Sequence, residues 1–292
     1  MSRRFKIMTV LGCVAAALLV RAAVSVAGEF VVIRDVPYVA REGHELLADI
    51  YVPHGEGPFP GVLIVHGGGW RSGNKTRLAR FGEKLAAEGY TAVAINYRLA
   101  PEHLFPAQID DCKSAVRFMR KNAAKYKADG AHLGALGYSA GGHLVALLGV
   151  TDPSNGLEGP DADGTSTRLQ CFVAGGAPCD FRHTPPVTDL SFWLGGTRAE
   201  KPEVYELASP ISFVTKDDPP AFFFHGDADV LVPIFGARRM VGKLTEVGVP
   251  AELYAIPGAG HGQAAVNPAA ADKAVKFFDE HLKNGAKQAA VK

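Results

Sequence analysis

The sequence lacks an excess of either charge. Its 31 lysines and arginines nearly balance 30 aspartates and glutamates, which leaves a net charge of +1, and the basic residues form no long run. Surfaces that bind nucleic acids or anionic membranes need clustered positive charge. We therefore expect no nucleic-acid partner and no polybasic membrane patch, and we expect that the substrate is not recognised by the overall charge of the protein.

A long hydrophobic run is also missing. The apolar run near the N-terminus, residues 7–20, has 14 residues, whereas a transmembrane helix needs about 20. Basic residues within positions 3–6 precede this run, and Ser25-Val26-Ala27 follows it with the small-x-small spacing of a cleavage site. The pattern predicts a signal peptide over residues 1–27, a mature chain of residues 28–292, and export to the periplasm or the extracellular space without stable membrane insertion.

Two other export routes stay open. Arg3-Arg4 is the dipeptide of a twin-arginine signal, although the residues after it fit that signal poorly. Cys13, which follows Leu11-Gly12, resembles a lipidated cysteine, but it interrupts the apolar run too early.

Cysteine is scarce, and removal of the signal peptide leaves only Cys112, Cys171 and Cys179. An odd number in an oxidising compartment leaves at least one free thiol. Cys112 falls on the apolar face of a predicted helix and is expected to be buried. Cys171 and Cys179 either pair or stay free, and the position of Cys171 in a predicted central strand favours free thiols.

Metal-binding spacings are absent as well. The sequence contains no Cys-x-x-Cys and no His-Glu-x-x-His, which are spacings typical of zinc and redox sites. We predict neither a metal ion nor another cofactor.

The mature sequence alternates short apolar runs with helical periodicities. Two runs joined by a turn at residues 41–43 predict an antiparallel hairpin at one sheet edge, and later continuous runs predict strands buried on both faces. This alternation, without an internal repeat or linker, predicts one α/β domain with a mostly parallel, eight-stranded sheet and helices on both faces. The predicted strands cover residues 30–39, 44–52, 61–65, 91–96, 132–136, 169–175, 221–225 and 251–256. Helices are predicted over residues 77–88, 109–123, 140–150, 232–247 and 264–283, and residues 180–202 are predicted to form a small flap.

The stretch from Leu136 to His143 joins a predicted strand to a predicted helix and places Ser139 between Gly137 and Gly141. In this G-x-S-x-G pattern the chain reverses so tightly that a nucleophilic serine has strained backbone, and glycine avoids side-chain collisions on either side. The pattern predicts Ser139 as the nucleophile of an acyl transfer.

Acyl transfer through a serine also needs hydrogen-bond donors for the oxyanion. His66-Gly67-Gly68-Gly69 follows the first predicted parallel strand, and without side chains the backbone N–H groups of Gly68 and Gly69 can approach a substrate oxygen. The N–H group of Ala140, the residue after the nucleophile, is the third candidate donor. The alternative interpretation of the glycine run is a flexible turn.

The serine needs a histidine base and a carboxylate that orients it, and with this elbow the chain order is serine, acid, histidine. His261 follows the last predicted strand and fits as the base. His143, on the helix after the elbow, and His225, at the end of a strand, are interpreted as structural. Asp227 and Asp229 both lie in the loop where the acid is expected, and the residues alone leave the choice open.

Five segments carry a family resemblance: His66-Gly67-Gly68-Gly69-Trp70, Asn96-Tyr97-Arg98-Leu99-Ala100-Pro101-Glu102-His103, Gly137 to Gly142, the Gly-x-x-Asp-x-x-Val-Pro loop around Asp229, and Gly260-His261-Gly262. In this order they resemble the α/β-hydrolase esterases, in particular the hormone-sensitive-lipase-like and the feruloyl/acetyl-xylan-esterase-like (BD-FAE) group. The resemblance covers nearly the whole mature chain and implies the α/β-hydrolase fold. It further implies Ser139 as nucleophile, Asp229 as orienting acid and His261 as base, with Gly68, Gly69 and Ala140 as oxyanion donors.

Two departures bear on the subgroup. Many hormone-sensitive-lipase-like enzymes carry Asp before the nucleophile and a helical N-terminal cap, whereas this chain has Tyr138 and only 38 mature residues before His66. An open site without a cap favours the BD-FAE-like side and disfavours a long-chain lipase. Trp70, Tyr138 and Trp193, together with Phe192, either line an aromatic acyl or sugar pocket or pack inside the protein.

We therefore expect an exported serine carboxylesterase that hydrolyses short-chain acyl or aromatic esters through an acyl-enzyme. The expected substrate is a small-molecule or saccharide ester, which includes esters on plant polysaccharide. An amidase or peptidase with the same catalytic residues stays open. A catalytically silent binding module is disfavoured because every catalytic position is filled.

Overall fold

A computed structural model of the protein describes residues 24–27, 29–183 and 190–283. In these residues nine strands form one sheet. They are β1 (Val24–Ala27), β2 (Phe30–Arg41), β3 (His44–Pro53), β4 (Phe59–Val65), β5 (Thr91–Ile95), β6 (Ala128–Tyr138), β7 (Cys171–Gly175), β8 (Ala221–Gly226) and β9 (Ala251–Ile256). Their spatial order is β1-β2-β3-β5-β4-β6-β7-β8-β9.

The sheet is antiparallel at one edge and parallel elsewhere. β1, β2 and β3 pair antiparallel, as do β3 and β5, and every pair from β5 to β9 is parallel. In the parallel part Val65 of β4 pairs with Gly137 of β6. Because these are the last residues or nearly the last of their strands, the loop after β4 starts beside the turn after β6.

The described residues also form eight α-helices, six of which precede the last strand. They are α1 (Ala79–Ala87), α2 (Ala107–Lys121), α3 (Ala140–Val150), α4 (Ser191–Leu194), α5 (Pro202–Leu207), α6 (Phe235–Glu246), α7 (His261–Ala265) and α8 (Pro268–Phe278) among the described residues. A single residue, Ser139, separates β6 from α3. Short 3₁₀ helices cover Lys75–Leu78, Ala124–Tyr126, Pro153–Asn155 and Pro210–Phe213, and a π-helical turn covers Asp279–Lys283.

The core lies on both faces of the sheet. Successive residues of β4 alternate between the faces, so that Leu63 and Val65 pack with α2, α3 and α6, whereas Val62 and Ile64 pack with α1 and α8. All four side chains are at most 1% exposed. A strand that is covered on both faces needs apolar residues at every position, which explains the continuous apolar run in the sequence.

The predicted fold class is confirmed, with eight strands in the predicted mature chain and helices on both faces. The prediction of one continuous helix over residues 264–283 is wrong, because the structure divides this part of the chain into two α-helices. Asn267 caps a new helix by accepting a hydrogen bond from the N–H group of Ala270 at 2.9 Å, and Pro268 is the first residue of that helix. Proline lacks the N–H group that the preceding turn would need, so the segment divides into α7 and α8.

The three described cysteines, Cys112, Cys171 and Cys179, are buried free thiols, so Cys171 and Cys179 are not joined. Of the predicted signal peptide, residues 1–23 lie outside the described residues, and the rest is β1. Residues 184–189 of the predicted flap also lie outside them. No helix in the described ranges has the length and apolarity that a membrane crossing requires.

Candidate active site

Ser139 occupies a strained turn between β6 and α3. Its backbone has φ 57° and ψ −123°, in the left-handed half of conformational space that side chains disfavour. The turn is held because the Ser139 N–H group donates to Gly175 O at 2.7 Å. It is also so tight that a Cβ atom on Gly141 would lie 2.0 Å from Val65 O. These contacts explain the glycine at position 141 and place the partly buried Ser139 at the carboxyl end of the sheet.

His261, the first residue of α7, connects Ser139 with an acidic side chain. Its Nε2 atom lies 2.9 Å from Ser139 Oγ, and its Nδ1 atom lies 2.6 Å from Asp229 Oδ2. Asp229 is fully buried, and its Oδ1 atom accepts hydrogen bonds from the N–H groups of Leu231 at 3.0 Å and Val232 at 2.9 Å. A carboxylate held this way orients the imidazole and leaves Nε2 free to accept a proton from the serine.

The second candidate acid points elsewhere. Asp227 is exposed, and its Oδ1 atom accepts a hydrogen bond from the N–H group of Gly258 at 2.7 Å. His225 supports the acid loop instead, with Nε2 at 2.7 Å from Val232 O and 3.4 Å from Asp229 Oδ2. The structure thus places Asp229, rather than Asp227, beside the histidine.

The loop after β4 runs past the serine. Gly68 has φ +132°, and a Cβ atom there would lie 1.9 Å from Ser72 O, so this position requires glycine. The Ser72 N–H group and hydroxyl both bond to Gly68 O. Gly69 lines both cavities that adjoin Ser139, whereas Gly68 lines one and Ala140 the other. All three residues that are predicted to supply oxyanion donors therefore line the cavities next to Ser139.

Two cavities meet at Ser139 and share Gly69, Ser139 and Leu231. The first, here called the apolar cavity, has a volume of about 260 Å³. The second, the arginine-lined cavity, has a volume of about 540 Å³ and contains His261 in its wall. The apolar cavity is bounded by Trp70, Phe181, Leu190, Leu231, Val232 and Pro233. The arginine-lined cavity is bounded by Arg71, Arg77, Arg80, Tyr138, His261 and Val266, among others.

Of the aromatic side chains predicted near the site, some line a cavity and others pack behind its wall. Trp70 lines the apolar cavity. Trp193 does not, and its prediction as a pocket residue is wrong, because it is completely buried behind Trp70 with the two rings stacked. Phe192 lies under the guanidinium of Arg71 at 5.1 Å from the ring centroid.

Tyr138 lines the arginine-lined cavity and also contacts His261. Its hydroxyl donates to the backbone carbonyl of His261 at 2.5 Å, and the two rings lie 5.2 Å apart. Burial raises the pKa of this phenol above its usual range, so it stays a donor at neutral pH.

Sequence reasoning missed several wall residues. Phe181 and Leu190 belong to the predicted flap, residues 180–202, where no periodicity in the sequence shows which side chains point into the cavity. Arg71, Arg77 and Arg80 fall within the eleven residues that follow the glycine run, and this clustering is the signal from which a basic wall could have been predicted. Among the described residues, no group of three or more His, Cys, Asp or Glu side chains has an arrangement that could hold a metal ion.

A mostly parallel sheet with a serine at the turn between strand and helix, and with a carboxylate and a histidine that follow later strands, defines an α/β hydrolase. The BD-FAE family model matches residues 48–244. The chain belongs to this family, which confirms the subgroup that the motifs predicted.

Relatives and solved structures agree with this placement. The chain is 35% identical to Esterase LipC of Mycobacterium tuberculosis, over 70% of this chain and 53% of that protein. It spans about half the length of the mycobacterial relatives it matches. A truncated carbohydrate esterase from gut microbiota superposes with a TM-score of 0.79 at 30% identity, covering 86% of this chain and 96% of that one. The butyrate-bound thermophilic esterase of Thermogutta terrifontis gives 0.72 at 26% identity, covering 91% and 95%.

Proposed function

We propose that the protein is a serine carboxylesterase. The observation that carries this proposal is the chain of hydrogen bonds from Ser139 through His261 to Asp229. Ser139 Oγ lies 2.9 Å from His261 Nε2, and His261 Nδ1 lies 2.6 Å from Asp229 Oδ2. Similarity to Esterase LipC and to the Thermogutta terrifontis protein, which are both esterases, supports the same reaction. The catalytic base is His261 and the orienting acid is Asp229.

In the proposed reaction His261 Nε2 takes the proton of Ser139 as Oγ attacks the ester carbonyl. The N–H groups of Gly68, Gly69 and Ala140 stabilise the oxyanion, each contributing about 3 kcal/mol to the transition state. The C–O bond to the alcohol then breaks, and His261 gives its proton to the departing oxygen. A water molecule that is deprotonated by His261 hydrolyses the acyl-enzyme and restores the serine.

The two cavities take the two parts of the ester. The departing oxygen must lie within reach of His261 Nε2, and His261 lines the arginine-lined cavity but not the apolar one. The alcohol therefore occupies the arginine-lined cavity, and the acyl group occupies the apolar cavity. A volume of about 260 Å³ walled by Trp70, Phe181 and Leu190 suits a short aliphatic or an aromatic acyl group.

The alcohol is proposed to be a small molecule or a saccharide, with plant polysaccharide as one source. The cavity of about 540 Å³ on the alcohol side has room for a sugar ring. Similarity to a carbohydrate esterase from gut microbiota supports this choice.

Hydrolysis of p-nitrophenyl acetate and p-nitrophenyl octanoate tests the proposal. We expect Ser139→Ala to lose at least roughly 10³-fold in kcat, whereas Ser154→Ala, at an exposed serine remote from the cavities, keeps full activity. A fluorophosphonate should label Ser139. Label on another residue, or hydrolysis that survives Ser139→Ala, would contradict the mechanism. A matched p-nitroanilide measures amidase activity, and faster cleavage of the anilide than of the ester would overturn the assignment as an esterase.

Export with cleavage after Ala27 is the second part of the proposal. The basic, apolar and small-residue pattern of residues 1–27 supports it. N-terminal sequencing of secreted protein should begin at or near Gly28. A start at Met1, or one inside β3, would contradict it.

A further inference from the structure

The wall of the arginine-lined cavity carries three positive charges. Arg71, Arg77 and Arg80 line it, and none of its lining residues is aspartate or glutamate. The whole chain has a net charge of only +1, so this concentration of charge is local. It lies on the side of Ser139 that His261 lines, where the departing alcohol must receive its proton.

No carboxylate among the described residues neutralises these three arginines. Within the described ranges none of them forms an ion pair, whereas Arg34, Arg41 and Arg98 are each paired with a buried aspartate, Asp49 or Asp111. An arginine whose charge meets no carboxylate beside a substrate cavity is free to bind an anion there.

Two of the three guanidinium groups are nevertheless held in place. Arg80 donates a hydrogen bond to the backbone carbonyl of Ala265 in α7. Arg71 lies over the ring of Phe192, 5.1 Å from its centroid. These contacts position the charges without cancelling them, which lowers the entropic cost of binding an anion.

We propose that the natural substrate is an ester whose alcohol portion carries an anionic group, and that Arg71, Arg77 and Arg80 bind this group. The inference rests on the proposed esterase function and specifies its substrate class. Guanidinium groups bind carboxylates in a bidentate manner, so an acylated acidic saccharide or hydroxy acid fits the site. A sulfonate presents the same charge in a different shape.

The test uses acetate esters that differ in the charge of the leaving alcohol. The substrates are 4-acetoxybenzoate, its neutral analogue 4-acetoxybenzamide, and 4-acetoxybenzenesulfonate, each corrected for its rate of hydrolysis by hydroxide alone. We expect kcat/KM for the carboxylate to exceed that for the amide by at least about 10-fold at low salt, mainly through KM. Salt at about 0.5 M should reduce this ratio several-fold, because exposed charges are screened.

Variants assign the preference to the arginines. Arg77→Gln and Arg71→Gln should each lower the ratio of carboxylate to amide by about 3- to 10-fold, and Arg77→Lys should restore part of it. Arg238→Gln removes one exposed positive charge on α6, away from both cavities, and should leave the ratio and the activity unchanged. Thermal unfolding of each variant verifies that it is folded. The sulfonate shows whether charge alone suffices or a planar carboxylate is required.

The outcomes separate this proposal from the esterase proposal. Hydrolysis of 4-acetoxybenzamide that depends on Ser139, with no preference for either anion, overturns the anionic alcohol and leaves the esterase intact. Failure to hydrolyse any of the three esters contradicts the esterase itself. A preference for the anions that Arg71→Gln and Arg77→Gln do not reduce would also overturn the assignment to this cavity.

Discussion

The indole rings of Trp70 and Trp193 lie 3.8 Å apart and nearly parallel, with an interplanar angle of 2°. Trp70 forms a wall of the apolar cavity, and Trp193 fills the space behind it, where Gln108 Oε1 accepts a hydrogen bond from Trp193 Nε1 at 3.0 Å. Trp70 Nε1 donates to His143 Nδ1 at 3.2 Å, and His143 Nε2 donates to Ala208 O at 2.7 Å. The position of Trp70 in the wall of the apolar cavity is therefore set by buried residues that do not line the cavity.

Truncation behind this wall should change acyl preference as well as stability. We expect Trp193→Ala to lower the free energy of unfolding by about 3–5 kcal/mol, because it leaves a large buried void. Trp70 can then move back, so the octanoate-to-acetate ratio of kcat/KM should rise. Urea unfolding and a p-nitrophenyl ester series measure both effects. Phe235→Ala, at a side chain that is 65% exposed, serves as the control, and an equal change there would refute the link to the wall.

The acid can be identified with two matched substitutions. Asp229→Asn keeps the shape of the side chain but favours the wrong imidazole tautomer, and we expect kcat to fall by roughly 10³- to 10⁴-fold. Asp227→Asn alters an exposed group that bonds to the Gly258 N–H group, and we expect less than about a 10-fold loss. Steady-state kinetics on one ester at neutral pH compares them. A greater loss for Asp227→Asn would show that the wrong carboxylate has been assigned.

Two buried histidines should make the fold sensitive to acid. Burial lowers the pKa of His66 and of His143 to about 4, whereas an unfolded histidine titrates near 6.5. The unfolded chain therefore binds more protons than the native one between these values. Stability is complete above about pH 6.5 and is lost as the pH falls toward 4, by up to about 3 kcal/mol for each histidine. His143 has a specific reason to stay neutral, since its Nδ1 atom accepts from Trp70.

Urea unfolding at about pH 7.5 and pH 5 measures this dependence. We expect the difference in unfolding free energy between the two pH values to shrink in His143→Gln, although the variant is less stable throughout. His54→Gln, at an exposed histidine, should keep the full difference. An unchanged difference in His143→Gln would mean that other groups are responsible.

The fold and the proximity of Ser139, His261 and Asp229 could largely be predicted from the sequence, because the constraints behind them are local. A strand covered on both faces, such as β4, must be apolar throughout, and the turn at Ser139 admits only glycine at position 141 because Val65 O lies so close. Such constraints act over a few residues and leave a clear pattern.

The rest depends on contacts between distant segments. Whether Trp193 lines the cavity or supports it follows from a stacking partner 123 residues away, since it contacts Trp70. The choice between Asp227 and Asp229 follows from which side chain turns toward His261. The break before α8 differs from these two cases, because it could have been predicted from the local sequence. Asn267-Pro268 is a signal for the start of a helix.

Tyr138 takes the place before the nucleophile where many hormone-sensitive-lipase-like enzymes carry Asp, and its hydroxyl bonds to the backbone carbonyl of His261 at 2.5 Å. We interpret Tyr138 as a positioning residue that fixes the start of α7 and hence the base. Tyr138→Phe should lower kcat by about 3- to 10-fold with little change in KM, because one buried hydrogen bond contributes about 1 kcal/mol. A purely structural role would lower the urea midpoint and leave kcat intact. Tyr254→Phe, on the outer strand β9, is the matched control and should alter neither quantity.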